Sequence, residues 1–218
     1  MYFQKIKISR RHTEHVSASA NHKFCITYRA TLKQVQGDRI LFFAFILFFL
    51  SNFFFAQNKE WKRFVPPGYK MLDTLLGDLN LDDKKDMLLI LKDAAEDTIK
   101  ISEEQRPILI LLGQTDGSYY QAGRSNQVVM CKSCGGVMGD PYQRMVISKG
   151  YFSVEHYGGS NERWTDIVTF KFDKKSKKWF LYKWGGDNFN VSEPDKKTTL
   201  VRTPKEFGIM EFENFRRD

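Results

Sequence analysis

The stretch GDLNLDDKKDMLLIL, Gly77 to Leu91, joins an acidic loop to an unbroken apolar run. The run Met87–Leu91 is five residues long, too short for a typical helix and without polar relief on either side. That pattern predicts a strand buried on both faces. Ahead of it, oxygen-bearing side chains fall at alternate positions, which is how a loop wraps its ligands around a hard cation. One stretch thus proposes a β core and a metal loop beside it.

Working outward, strand and turn signals alternate along the chain. Tyr69–Leu76 precedes the loop and reads as its entering strand. Lys92–Gln105 is polar and acidic, an exposed loop or one to two helical turns. A second apolar run, Ile108–Leu112, is followed by Thr115-Asp116-Gly117-Ser118, whose Asp-Gly pair favours a hairpin turn. Ile108–Ala122 therefore reads as a hairpin, with Val128–Cys131 as a further strand. The loop CKSCGGVMGDPY follows, where four glycine and proline positions oppose regular structure. Met145–Ser148 and Tyr151–Tyr157 flank a Lys149-Gly150 turn. Ile167–Phe172 and Trp179–Trp184 flank a turn rich in lysine, and Gly185-Gly186-Asp187-Asn188 is read as the end of that hairpin. Leu200-Val201 and Ile209–Phe212 complete the series as short closing strands. No long helical period interrupts it, so the fold class is all-β. Antiparallel strands and hairpins should form a sandwich or a strongly curved sheet. The acidic loop occurs once, which argues against the repeated blades of a regular propeller.

The 218-residue chain carries a formal charge of +8, but unevenly. Residues 1–56 hold 8 Lys and Arg against 2 Asp and Glu, leaving 26 against 24 in residues 57–218. A nearly balanced domain lacks the concentrated basic face that binds phosphate backbones, so no nucleic-acid partner is expected. The excess belongs to a leader. Residues 1–39 are read as non-structural, including the possibility of a misassigned start. Residues 40–56 form the apolar core of a signal peptide, with cleavage after Ala56; a membrane anchor through an uncleaved leader is the rival reading. Residues 57–218 then form a single exported β domain, periplasmic or extracellular, whose partner is an unidentified ligand or envelope protein.

Counting Asp78 as position 1, Asp78, Asn80, Asp82 and Asp86 occupy positions 1, 3, 5 and 9, with the Lys84 carbonyl at position 7. Position 12, where an EF-hand needs Glu, is Leu89, so this is not an EF-hand. The segment resembles the loop of FG-GAP repeats of the integrin-α-like family, D-x-D/N-x-D-G-x-x-D between two strands. The resemblance covers Tyr69 to Lys92 and implies one strand-loop-strand unit with a structural calcium ion. Asp83 stands where the family has glycine. More broadly, the layout is similar to secreted bacterial proteins that carry one such loop and a CxxCGG segment. The competing reading is a metal-free turn whose Asp and Asn side chains bond nearby amides.

Three further features carry chemistry. Cys131 and Cys134 are the cysteines left once Cys25 departs with the leader; a local disulfide is preferred, with a redox-active pair or a zinc ligand pair as alternatives. His156, the sole histidine of 57–218, marks a candidate polar site with Arg163 and Trp164. An envelope enzyme is the alternative to a non-enzymatic role, either a hydrolase using His156 with Asp140 or a thiol oxidoreductase using Cys131 and Cys134. No catalytic residue is assigned, because neither arrangement has the neighbouring partners its chemistry needs. Trp164, Trp179, Tyr182 and Trp184 are core aromatics or, if exposed, platforms for sugars or peptides.

Overall fold

The computed structural model describes residues 60–217. The leader, its apolar core, Cys25 and the cleavage position after Ala56 lie outside the described residues. Among those described, no helix is long and apolar enough to cross a membrane.

The described residues are all-β, with two antiparallel sheets, each a simple meander. The first orders β1 (Tyr69–Gly77), β2 (Asp86–Asp93), β3 (Arg106–Gly113) and β4 (Tyr119–Val129) as 1-2-3-4. The second orders β5 (Tyr142–Ser148), β6 (Tyr151–Gly159), β7 (Glu162–Asp173), β8 (Lys178–Asn190) and β9 (Thr198–Arg202) as 5-6-7-8-9. Leu88, Ile90, Ile108 and Ile110 of the first sheet share one core with Phe152, Val154, Val168, Phe170 and Leu181 of the second. This is a sandwich, held by alternation on each inner face. Phe212 and Phe215 enter the same core from a short C-terminal segment, and Phe212 stands edge-on to both Phe152 and Phe170.

The two apolar runs are buried on both faces, as their sequence requires. Met87, Leu89, Leu91, Leu109 and Leu111 point away from the second sheet, and all are buried. Trp61 and Phe64, from the turn of 3-10 helix at Glu60–Phe64, and Val65 just after it pack on them together with Tyr69 and Tyr119. Burying one such aliphatic side chain is worth roughly 1.5–3 kcal/mol, so this N-terminal strap is an integral part of the fold.

Three boundaries differ from the sequence reading. Tyr119–Val129 is one continuous strand instead of two, because Gly123 and Ser125 face inward while Arg124 and Asn126 face solvent. β8 runs on through Gly185 and Gly186 to Asn190. A Cβ on Gly185 would stand 2.0 Å from the Leu200 oxygen, and one on Gly186 would stand 1.9 Å from the Thr165 oxygen. The pair removes side chains where the backbones of β9 and β7 close in, so it continues the ladder instead of ending it. Ile209–Phe212 adds only an isolated bridge, Phe180 to Glu211, before a 3-10 turn.

Candidate metal centre

The acidic loop spans the gap between β1 and β2, and the sandwich grips it from below. Leu79 is fully buried in the inter-sheet core. Its carbonyl accepts a hydrogen bond from the Trp179 indole of β8 at 3.2 Å. Leu81 packs over the Lys149-Gly150 turn, where a Cβ on Gly150 would lie 3.0 Å from the Leu81 Cγ. The loop therefore touches both sheets.

Within it, carboxylates organise the backbone. Asp78 accepts from the amides of Leu81 at 2.6 Å, Asp82 at 3.2 Å and Asp83 at 3.1 Å. Asn80 accepts from the Asp82 amide at 3.1 Å. Asp82 accepts from the Lys84 amide at 3.0 Å and its ammonium at 3.1 Å. Asp86 is fully buried and accepts from the amides of Leu79 at 2.8 Å and Gly113 at 3.0 Å. Asp83 has φ of +62° and Leu81 +61°, both in the left-handed region that favours glycine.

One carboxylate oxygen from each of Asp78, Asp82 and Asp86 lies within 4.8 Å of the others. Oxygens bound to one calcium at roughly 2.3–2.6 Å can be no more than about 5 Å apart, so the three fit a shared ion. Each ionised carboxylate has about four lone-pair sites, and the two or three donors on each here do not exhaust them. Burial pushes the Asp86 carboxyl up, against the pull of the Gly113 and Leu79 amides, and the charges of Asp82 and Asp78 push the same way. Asp82 goes the other way: its slight burial is outweighed by the Lys84 hydrogen bonds. Four carboxylates at 78, 82, 83 and 86 face only Lys84 and Lys85 within the segment, an excess that a divalent cation would neutralise.

Cys131 and Cys134 form a disulfide with Cα atoms 5.1 Å apart. Cys131 is buried and Cys134 exposed. The bridged turn anchors its neighbours: the Ser133 amide donates to the Ser102 carbonyl at 3.0 Å, and the Ser102 amide donates to the Ser133 hydroxyl at 2.8 Å. The Lys132 ammonium donates to the Ile99 carbonyl at 2.8 Å.

Asp140 does not approach His156 as a catalytic partner. Its two oxygens accept from Arg106 Nη1 and Nη2, both at 2.7 Å. The same guanidinium holds Glu96 through Nε and Nη2, with the shortest contact at 2.7 Å. Arg106 and Glu96 are almost completely buried. Burial alone would favour deprotonation of Arg106, but Asp140 and Glu96 raise its pKa well above normal. The network locks the 94–105 and 130–141 loops together and is a framework feature.

His156 is also packed away, 1% exposed. Its Nε2 accepts from the Met130 amide at 3.2 Å, which leaves the proton on Nδ1, 3.4 Å from Asp166 Oδ2. Burial holds the imidazole below its ordinary pKa; the Asp166 hydrogen bond opposes this and the Arg217 charge assists it. Burial acts to raise the Asp166 carboxyl, yet His156, Arg217 and the Trp184 indole bring it down to about 2. Arg217 donates to Asp166 at 2.8 Å and to the carbonyls of Gln127 at 3.2 Å and Val128 at 2.7 Å. Both ring nitrogens are engaged, and the Nε2 lone pair a general base would use is already taken.

Of Arg163 and Trp164, the β6–β7 ladder puts one on the His156 face. In the β6–β7 ladder His156 pairs with Asp166, Gly158 with Trp164 and Gly159 with Arg163. Alternation puts Trp164 on the His156 face, covering Gly158, and Arg163 on the opposite one. Trp179 and Trp184 are core residues, while Tyr182 is half-exposed.

Sequence reasoning missed Asp166, Arg217, Arg106 and Glu96. The Arg217–Asp166 pair joins residues 51 apart, and no local spacing encodes it. Arg106, an arginine immediately before an apolar run, was the one visible hint. No protein-family model, no curated protein and no solved structure matches this chain.

Proposed function

We infer that residues 57–218 form an exported, non-enzymatic β domain of the cell envelope or extracellular space, stabilised by one structural calcium ion and serving in binding or architecture. The observation that carries the calcium is the convergence of Asp78, Asp82 and Asp86 oxygens within 4.8 Å on a loop fastened to both sheets. The left-handed Asp83 supports the FG-GAP resemblance, since that family places glycine there. An ion bound here by the folded state alone would raise stability by mass action. Asp78, Asn80, Asp82 and Asp86 would supply side-chain oxygens and Lys84 its carbonyl. Export is supported by the signal-like residues 40–56 and by a disulfide, which persists in oxidising compartments.

The enzyme alternative draws little from the site. His156 lacks a free lone pair and Asp140 is committed to Arg106. The disulfide sits in a glycine-rich turn, without the helix N-terminus that lowers a reactive thiol's pKa.

The test is thermal unfolding of the purified protein in calcium and in EDTA. At 100-fold excess over its Kd, calcium should add about 2.7 kcal/mol, seen as a rise in Tm of several degrees. The rise should vanish in Asp78→Ala and Asp82→Ala. A wild-type Tm indifferent to calcium would reduce the loop to a turn.

A further inference from the structure

A groove of about 670 Å³ opens beside the acidic loop, at the mouth of the sandwich between the β4 edge and the β7–β8 turn. Small-molecule sites commonly span roughly 300–1,000 Å³. Its floor is apolar, made by Leu112, Ala122 and Phe172. Tyr120 lines it while remaining 49% exposed, and Gln121 and Asn80 bring amides to its sides. The β7–β8 turn contributes Lys174 and Lys177 to its lining. Neither ammonium has a carboxylate partner among the described residues, although the turn that presents them is firmly built. The Lys177 amide closes on the Asp173 carbonyl at 2.8 Å, and the Asp173 carboxylate accepts from the Ser176 amide and hydroxyl.

We propose that this groove binds an acidic sugar, a uronic-acid unit of a polysaccharide. A sugar ring has an apolar C–H face and a polar rim. The face suits Tyr120 and the Phe172–Leu112 floor; the hydroxyls suit Asn80 and Gln121; the carboxylate meets Lys174 and Lys177. Charge complementarity selects the acid over a neutral sugar. A peptide strand is the poorer occupant, because adding to β4 would require free main-chain groups and the Arg217 guanidinium already takes the Gln127 and Val128 carbonyls. The site rests on calcium at the acidic loop: with the ion bound, the wall that carries Asp82 no longer repels a carboxylate.

The experiment is titration calorimetry of the purified protein with trigalacturonate, in calcium and in EDTA, with maltotriose and pentaglutamate as controls. Trigalacturonate should bind in calcium. Binding should weaken by at least about tenfold in Lys174→Ala/Lys177→Ala, the cost of losing one charge-assisted hydrogen bond, and should also weaken in EDTA, which restores the Asp82 repulsion, and in Tyr120→Ala, which removes the stacking face. The double lysine variant should keep its calcium-induced rise in Tm. Three results overturn the groove: no trigalacturonate heat in a protein whose Tm responds to calcium, undiminished binding in the double variant, or equal binding of maltotriose or pentaglutamate. A Tm that ignores calcium overturns the metal loop itself, and the groove that rests on it falls with it.

Discussion

Asp83 sits at φ +62° with its amide already bonded to Asp78. A non-glycine residue in this region carries strain, although Asp tolerates it better than most. Asp83→Gly removes that strain and one of the crowded negative charges. The expected result is a gain of about 0.5–1 kcal/mol, read as a higher urea midpoint with an unchanged m-value. Arg217 makes the opposite case. Its guanidinium serves Asp166 and two β4 carbonyls at once, so Arg217→Ala leaves a largely buried carboxylate and two acceptors short of donors. A loss of roughly 2–4 kcal/mol is expected, measured by chemical denaturation; a loss inside experimental error would mean the C-terminus contributes nothing through this contact. The two residues also differ in how they could be read. Asp83 was legible because its neighbours at 78, 80, 82 and 86 set a fixed count. Arg217 was not, because its partner is defined only after β4 and β7 have folded against each other.

Among the elements, the apolar runs were the most legible, since a five-residue block with no polar face leaves few options. β2 and β3 lie where those blocks are. The ends of β4 and β8 were obscured because glycine and polar residues usually mark turns, yet on an edge or beneath a close neighbour they continue a ladder. The turn at Cys131–Cys134 gives a prediction of its own. Its closed loop is short, so the chain-entropy gain is only about 2 kcal/mol, but the bridged turn makes the Ser133–Ser102 and Lys132–Ile99 contacts. Cys131→Ser/Cys134→Ser should therefore melt a few degrees lower. It should also show faster amide exchange at 99–105 and 130–135, with the β2 and β3 amides still protected. Uniform loss of protection would mean the bridge supports the whole sandwich.

For the molecule as a whole, pH exposes the buried polar clusters. His156 has its folded pKa below the ordinary 6.5; its contribution is present above that pH and is lost as pH falls below it. Asp166 is depressed from 3.8 to about 2; its contribution is present above about pH 4 and disappears between there and about pH 2. Both act in one direction, so Tm should fall on acidification in two stages, and His156→Gln should remove the first. Asp86, raised by burial, opposes the second stage, because its protonation relieves a buried charge. A Tm flat from pH 7 to 5 in the wild type would contradict the histidine assignment.

The strap of Trp61, Phe64 and Val65 extends the folding unit at least eight residues ahead of the first strand. A chain trimmed to begin at Pro66 keeps all nine strands and still loses the lid over Met87, Leu89, Leu91, Leu109 and Leu111. Such a face is a sticky surface in water, so the trimmed protein should self-associate in sedimentation velocity where the longer one stays monodisperse. A cleavage that left this fold intact would have to stop short of Trp61.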